Sequence, residues 1–277
     1  MGIETTAPSS GIVTLADRHY FPGLEMLYLS VQQSHAVPVA CFDIGLTPEQ
    51  KSLARSRYPH LSILPVPETP DIAAIRGAFE ETAPLSKPGK RVWPLFICPF
   101  LIAASPFRRV FWLDCDIVVL RDLDAMFAML DEGPVFAPEN LAPARSPNKP
   151  ELYALMPIDR AFDPAKPTVN AGVSGWDLER DRAALEAYMQ PIRRACTDER
   201  VRNAMSWWDQ GALIWAIQQA GLEDRVVSSW KWNLCVKHTS ARGKTYDWNE
   251  SVPDVLRRDV PEANLLHWNG YAVPWAQ

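Results

Sequence analysis

The run VFWLDCDIVVL, residues 110–120, places two carboxylates inside an otherwise apolar stretch. In an extended segment side chains alternate between two faces, so we expect Asp114 and Asp116 to point the same way. Two anions at the end of a buried strand repel each other and lose hydration, unless one is protonated or a cation lies between them. Hard divalent cations favour carboxylate oxygens, so the pair indicates a metal site, and a solvated turn is the alternative.

The residues before this run alternate between short apolar strands and helices. The pattern predicts strands at 11–15, 38–43, 61–66 and 109–113, and helices at 22–33, from 48 onward and at 94–104. The helix at Pro48 follows Thr47, a good capping residue, with Glu49 and Gln50 in its first turn. Strands separated by helices predict an α/β fold with a mostly parallel central sheet between helix layers.

The residues after the run have a different character. Residues 134–168 carry eight prolines and few periodic runs, which predicts long ordered loops around a site. Helices are predicted at 178–203 and 209–220, and an aromatic tail with a strand-like start follows from Asn264.

Composition excludes several classes of protein. The 277 residues have a formal net charge of −5 and no basic run, which is a poor basis for nucleic-acid binding. No apolar stretch is long enough to span a bilayer, and residues 1–6 lack the pattern of a secretory signal. Five widely spaced cysteines indicate a reduced, cytoplasmic protein.

Three further elements accompany the acidic pair. Asn170 offers a donor and an acceptor, and Gly172 allows close backbone approach. Asp209 precedes a helix, where an aspartate is also an ordinary cap. His267 lies in the aromatic tail, and a lone histidine is more often a core or surface residue than a ligand. Each element is weak by itself.

Taken in order, these elements resemble the family 8 retaining glycosyltransferases, which include glycogenin and bacterial lipopolysaccharide galactosyltransferases. The likeness spans nearly the whole chain: VTLADRHY at 13–20, LDCD at 113–116, NAGV at 170–173 with Asp177, Asp209-Gln210, and HWNG at 267–270 with Pro274-Trp275. The resemblance implies a GT-A fold, a Rossmann-like sheet with the nucleotide at the carboxyl ends of the strands. It also implies one domain over 1–277, with a nucleotide-binding half at 8–133 and a sugar and acceptor half at 134–277.

The resemblance assigns roles to individual residues. Asp114, Asp116 and His267 would ligate Mn²⁺ or Mg²⁺, which would act as a Lewis acid on the departing diphosphate. Asn170, Asp209 and Gln210 would be catalytic. The nucleotide and sugar would be bound by Thr14, Leu15, Ala16, Asp17, Tyr20, Asp114, Cys115, Ala171, Gly172 and Gly270, with Tyr20 stacking on the base.

The implied reaction moves a hexose from a UDP-sugar to a saccharide, a lipid-linked sugar or another small acceptor. Retention through a covalent adduct or through attack on the leaving-group face stays open, as does oligomerisation. Two features depart from the family pattern: Val273 stands where a lysine is usual, and residues 93–104 lack the expected basic residue. Lys237, Arg242 and Lys244 are the candidates to replace those charges.

Three other functions compete with this interpretation. A haloacid-dehalogenase-like phosphatase would use Asp114 as its nucleophile, but that motif usually opens its fold. A sugar nucleotidylyltransferase needs a glycine-rich loop after the first strand, and residues 15–18 contain no glycine. A non-catalytic sugar-binding module could use several of the eleven tryptophans, although most such residues pack in cores.

Overall fold

The computed structural model describes residues 9–34, 37–80, 92–121, 123–139, 150–157, 159–163, 165–205, 208–244, 246, 249, 251–269, 273 and 275. A six-stranded sheet forms the centre of these residues. Its strands are β1 (Ser10–Ala16), β2 (Val39–Asp43), β3 (Leu61–Pro65), β4 (Arg109–Leu113), β6 (Val135–Pro138) and β7 (Val169–Asp177). They lie in the order β3-β2-β1-β4-β7-β6.

The sheet is mostly parallel, as the alternation of strands and helices predicts. The strands β1 to β4 run parallel, and β7 is antiparallel to both β4 and β6. Both faces are covered, because alternate residues of β4 join two separate hydrophobic clusters: Val110 and Trp112 face one, and Phe111 and Leu113 face the other. Strands buried on both faces read as continuous apolar runs, which explains the sequence pattern.

A second, three-stranded sheet lies beyond the end of β4. It contains β5 (Ile117–Val119), β9 (Leu265–His267) and β8 (Leu234–Cys235), in the order β5-β9-β8. The register pairs Ile117 with His267 and Cys235 with His267. Asp114, Cys115 and Asp116 therefore connect the two sheets. His267 of β9 lies beside this connection, because it pairs with Ile117 at the start of β5.

Ten helices occur among the described residues. They are α1 (Phe21–Ser34), α2 (Pro48–Arg57), α3 (Pro70–Glu80), α4 (Cys98–Ala103), α5 (Asp124–Met129), α6 (Pro150–Leu155), α7 (Arg182–Thr197), α8 (Glu199–Ala204), α9 (Gln210–Ala220) and α10 (Val252–Asp259). The predicted cap of α2 is confirmed as a capping box, in which Thr47 and Gln50 each bond the other's backbone N–H. Within the described residues, no helix has the length and apolar character of a membrane span.

Several predicted boundaries are wrong. The helix predicted at 94–104 is a 3-10 helix at Trp93–Phe96 followed by α4, because prolines interrupt the segment. The helix predicted at 178–203 begins at Arg182 and divides at Asp198, whose side chain caps α8 by accepting from Arg200 N–H. The segment 134–168 is not all loop, since it contains β6 and α6; residues 140–149 lie outside the described residues.

Candidate active site

Asp114 and Asp116 lie in a tight turn between β4 and β5. Ile117 N–H donates to the Asp114 carbonyl at 3.1 Å, and Asp114 N–H donates to the Gly172 carbonyl at 2.9 Å. The prediction that the two carboxylates share one face of an extended strand is therefore wrong. The chain has to turn here, because β4 belongs to the large sheet and β5 to the small one.

The turn nevertheless brings both carboxylates to one histidine. His267 Nε2 lies 3.1 Å from Asp116 Oδ1 and 3.8 Å from Asp114 Oδ2. One ligand atom from each residue lies within 4.8 Å of the others. The Asp114 side chain is 44% exposed, whereas that of His267 is 1% exposed, so the group joins one accessible carboxylate to a buried imidazole.

Asn233 determines which nitrogen of His267 faces the carboxylates. The 3-10 helix Trp230–Asn233 places Asn233 Oδ1 2.8 Å from His267 Nδ1. An amide oxygen can only accept, so Nδ1 carries the proton and Nε2 of the neutral ring presents a lone pair. Nε2 is buried and has no hydrogen-bond partner in the described structure.

This arrangement needs a positive charge. Burial lowers the pKa of His267, but the adjacent Asp116 carboxylate outweighs burial and the pKa is raised overall. Although the Asp114 side chain is partly exposed, the surrounding protein desolvates its carboxylate, and this desolvation together with the charge of Asp116 raises the pKa of Asp114. A lone pair facing two carboxylates is repulsive unless a proton or a metal ion lies between them. Two carboxylate oxygens and one imidazole nitrogen fit Mn²⁺ or Mg²⁺ with positions left for other oxygens.

The backbone at Gly172 lies against this group. A Cβ built on Gly172 would lie 2.6 Å from Asp114 Oδ2, 2.8 Å from Asn170 Oδ1 and 2.8 Å from His267 Cε1. Asn170 Oδ1 accepts from Gly172 N–H at 2.9 Å, which orients the asparagine within β7. Only glycine fits at this position without displacing the carboxylate, so the sequence prediction of close backbone approach is confirmed.

Asp209 lies at the start of α9 but does not cap it. Its side chain makes no capping hydrogen bond, and Tyr188 Oη donates to its Oδ2 at 2.7 Å. Burial, with a smaller contribution from Asp114, raises the pKa of Asp209 to about 7. The capping interpretation is therefore wrong: the carboxylate faces a buried cluster with Tyr188 and Cys98, on the Asp114 side of α9.

The residues predicted to bind the nucleotide near the start of the chain lie in the last three positions of β1 and in the turn that follows it. Thr14 and Ala16 are buried, and Leu15 and Asp17 are partly exposed. Asp17 Oδ1 accepts from the backbone N–H of His19 and of Tyr20, which shapes the turn into α1.

The ring of Tyr20 packs edge-on against Trp275 at 6.3 Å between centroids. Burial, and to a smaller extent the charge of Asp116, raises the pKa of the Tyr20 hydroxyl. Cys115 is buried within the turn and Ala171 lies next to Asn170 in β7; Gly270 lies outside the described residues.

The three candidate cations differ in their surroundings. Lys244 forms an ion pair with Asp259 at 2.8 Å. Arg242 is exposed. Lys237 is partly buried in the 3-10 helix Val236–His238, directly after β8, and its charge acts on both His267 and Glu139. Lys237 is therefore the candidate that lies nearest the site.

Sequence reasoning missed four residues around this group: Cys98, Glu139, Tyr188 and Asn233. Each meets its partner only through the tertiary fold; Tyr188 and Asp209 are 21 residues apart, and Asn233 and His267 are 34 apart. Glu139 directly follows β6, which lies within the segment that the sequence analysis predicts as loop.

Comparisons with known proteins agree with this geometry at the level of the fold. No protein-family model matches the chain, and no curated protein matches it in sequence. Among solved structures, the galactosyltransferase LgtC in complex with donor and acceptor sugar analogues matches over 96% of this chain and 89% of its own, with a TM-score of 0.64 and 17% identity.

Other glycosyltransferases superpose in the same way. Mouse xyloside xylosyltransferase 1 matches over 95% of this chain and 99% of its own, with a TM-score of 0.58 and 13% identity. The bifunctional glycosyltransferase WbbM matches over 99% of this chain and 48% of its own, with a TM-score of 0.55 and 14% identity. The chain has the GT-A fold. Sequence identities of 13–17% do not show membership of family 8, so that membership stays a prediction.

Proposed function

We propose that this chain is a metal-dependent retaining glycosyltransferase that moves a hexose from a UDP-sugar to a small acceptor. The observation that carries the proposal is the convergence of Asp114, Asp116 and His267 at the carboxyl end of β4 in a GT-A fold. Ligands bind at the carboxyl ends of strands in open α/β sheets. The UDP-sugar, the hexose and retention come from the resemblance to family 8.

Each residue of the candidate site has a proposed task. Asp114, Asp116 and His267 would hold Mn²⁺ or Mg²⁺, and Asn233 would keep the lone pair of His267 Nε2 directed at it. The bound ion would supply positive charge where the diphosphate leaves. Thr14 to Tyr20 would contact the uridine, while Asn170, Asp209 and Gln210 would surround the sugar.

The environment of Asp209 suits a group that stabilises positive charge on the sugar. Its carboxylate is fixed by Tyr188 and lies within electrostatic range of Asp114. Glycosyl transfer passes through an oxocarbenium-like state, which a nearby carboxylate stabilises. Occupation of the metal site would lower the pKa of Asp209 by offsetting the charge of Asp114, which keeps Asp209 ionised for this task.

Calorimetric titration with UDP tests the proposal. The purified chain should bind UDP with Mn²⁺ present and lose this binding with a chelator. Asp114→Asn and His267→Ala should each weaken metal-dependent binding by about 100-fold or more, because each removes a ligand. Asp224→Asn, which neutralises an exposed carboxylate, is the matched control and should bind like the unaltered chain.

Two other outcomes have clear meanings. No binding of UDP with or without Mn²⁺ would refute the uridine assignment. Release of phosphate from a general phosphatase substrate, lost in Asp114→Asn, would favour the phosphatase interpretation instead, in which Asp114 is a nucleophile.

A further inference from the structure

Gly23 leaves room for an aromatic ring against the first turn of α1. It is the third residue of this helix and is buried. A Cβ built on Gly23 would lie 2.7 Å from Cζ2 and 2.8 Å from Cη2 of Trp275. The same Cβ would lie 2.5 Å from the carbonyl oxygen of Cys115, in the turn that carries the acidic pair. The benzene edge of the Trp275 indole therefore lies against the helix backbone and close to that turn, which only a glycine at position 23 allows.

Trp275 also contacts two aromatic rings that differ in exposure. The centroid of its ring lies 6.5 Å from that of Trp268, at an interplanar angle of 50°. The ring of Tyr20 lies 6.3 Å away at 76°, which is an edge-to-face contact. Aromatic pairs prefer such tilted and edge-to-face arrangements to a flat sandwich. Trp268 is 3% exposed, whereas Tyr20 and Trp275 are partly exposed, so Trp275 joins a buried ring to an accessible one.

The buried side of Trp275 is anchored to the candidate metal site. Trp268 directly follows His267, and its backbone N–H donates to the carbonyl of Asp116 at 3.1 Å. The carbonyl of Cys115 lies at the other contact, beside Gly23. The Trp275 ring is therefore held between the backbone of α1 and a residue bonded to the acidic turn, and it contacts Tyr20 from that position.

The backbone of Tyr20 is fixed separately from its ring. Tyr20 N–H donates to Asp17 Oδ1 at 3.0 Å and to the Asp17 carbonyl at 3.1 Å. These bonds hold the backbone but leave the side chain a choice among staggered rotamers. The edge contact with Trp275 favours one of them, so the ring of Tyr20 is oriented before any ligand binds.

We propose that Trp275 is a positioning residue that holds Tyr20 ready to stack on the base of the nucleotide. The inference rests on the proposed function, in which Tyr20 contacts the uridine. A ring ordered in advance loses less conformational freedom on binding, so part of the affinity for the base depends on Trp275. The affinity for the metal ion does not, because the acidic turn has its own backbone hydrogen bonds, from Asp114 N–H to Gly172 and from Ile117 N–H to Asp114.

A double-mutant cycle tests this role. UDP is titrated calorimetrically at saturating Mn²⁺ into the unaltered chain, Trp275→Ala, Tyr20→Ala and the double variant. Stacking of a base on an aromatic ring changes affinity by about 5-fold to 150-fold, and we expect Trp275→Ala to lose the lower part of this range, about fivefold to tenfold. In the Tyr20→Ala background the same change should have less than about a twofold effect, because Trp275 acts through Tyr20.

Two further variants and a second titration serve as controls. Trp275→Phe keeps an aromatic edge and should bind UDP within about twofold of the unaltered chain. Leu53→Ala removes an apolar side chain that is 40% exposed on α2, and it should bind UDP like the unaltered chain. Mn²⁺ alone is titrated into each chelator-treated protein. Trp275→Ala should keep the unaltered Mn²⁺ affinity within about twofold, which also reports correct folding of the variant.

The outcomes separate this inference from the proposed function. If the unaltered chain does not bind UDP with Mn²⁺, the proposed function fails and this inference falls with it. If UDP binds but the losses in Trp275→Ala and Tyr20→Ala add in the double variant, Trp275 does not act through Tyr20 and the inference is refuted. It is also refuted if Trp275→Ala weakens Mn²⁺ and UDP binding equally, if it weakens neither, or if Trp275→Phe fails to recover UDP binding.

Discussion

Replacement of Gly172 by alanine should damage the proposed metal site more than the fold. The added Cβ would lie 2.6 Å from Asp114 Oδ2, and ordinary contact begins at 3.4 Å, so the carboxylate has to move by about 0.8 Å. Metal sites tolerate changes of about 0.2 Å in ligand distance. Asn170 Oδ1 and His267 Cε1 would both lie 2.8 Å from the same Cβ and block the other directions of relief.

We therefore expect Gly172→Ala to weaken Mn²⁺ binding by about 10–100-fold, as loss of a positioning interaction at a metal site does. Overpacking should also lower the free energy of unfolding by about 1–3 kcal/mol. Calorimetric titration of the chelator-treated protein with Mn²⁺ measures the first effect. Urea denaturation with a chelator present measures the second.

Two glycines of this chain supply matched controls. Gly175 lies in the same strand, and its Cβ would meet Phe111 Cε1 at 2.4 Å, so Gly175→Ala should destabilise the fold without changing Mn²⁺ affinity. Gly77 in α3 has nothing within 4 Å of its Cβ, and Gly77→Ala should gain about 0.5–1 kcal/mol of stability. Unchanged Mn²⁺ affinity in Gly172→Ala, or an equal loss in Gly175→Ala, would refute the reasoning.

Three further predictions concern separate parts of the molecule. Asn233→Leu removes the acceptor for His267 Nδ1–H and should weaken Mn²⁺ binding by about 10–100-fold; affinity within twofold of the unaltered chain in a metal titration would contradict this. Burial raises the pKa of Asp209 from 3.8 to about 7, so its contribution to stability is present at low pH and is lost as pH rises towards 7. Asp209→Asn should therefore be more stable than the unaltered chain by about 2–4 kcal/mol at pH 8 and equal to it at pH 3, in denaturant unfolding with a chelator. Thr47→Ala breaks the capping box of α2 and should cost about 1 kcal/mol in the same assay, with no change in UDP binding.

The sequence predicts the large sheet well because its strands are buried on both faces. The runs ending at Ala16, Asp43 and Leu113 are apolar and are separated by helical segments, so local pattern and tertiary environment agree. The breaks at Ile97 and Asp198 were missed, because helix periodicity continues across both positions while the backbone does not.

The site is predictable only in part, because its residues meet across the fold. The acidic pair is visible from the repulsion between two nearby carboxylates, but the turn that orients it depends on the second sheet. The hydroxyl that holds Asp209 comes from α7, and the amide that orients His267 comes from a short 3-10 helix. Three statements stay predictions: the division of the domain into halves at residue 133, membership of family 8, and the cytoplasmic location.

The connection between the two sheets also has a consequence for biosynthesis. Asp114 and Asp116 lie in the first half of the chain, but their partner His267 lies in β9, which pairs with the β5 strand that follows them. Synthesis proceeds from the N-terminus, so the large sheet can assemble while its two carboxylates still lack the imidazole. If the proposed function is correct, a nascent chain cannot bind the metal ion or use the donor until β9 has emerged and docked. The proposed activity would therefore depend on the docking of β9 and not on the large sheet alone.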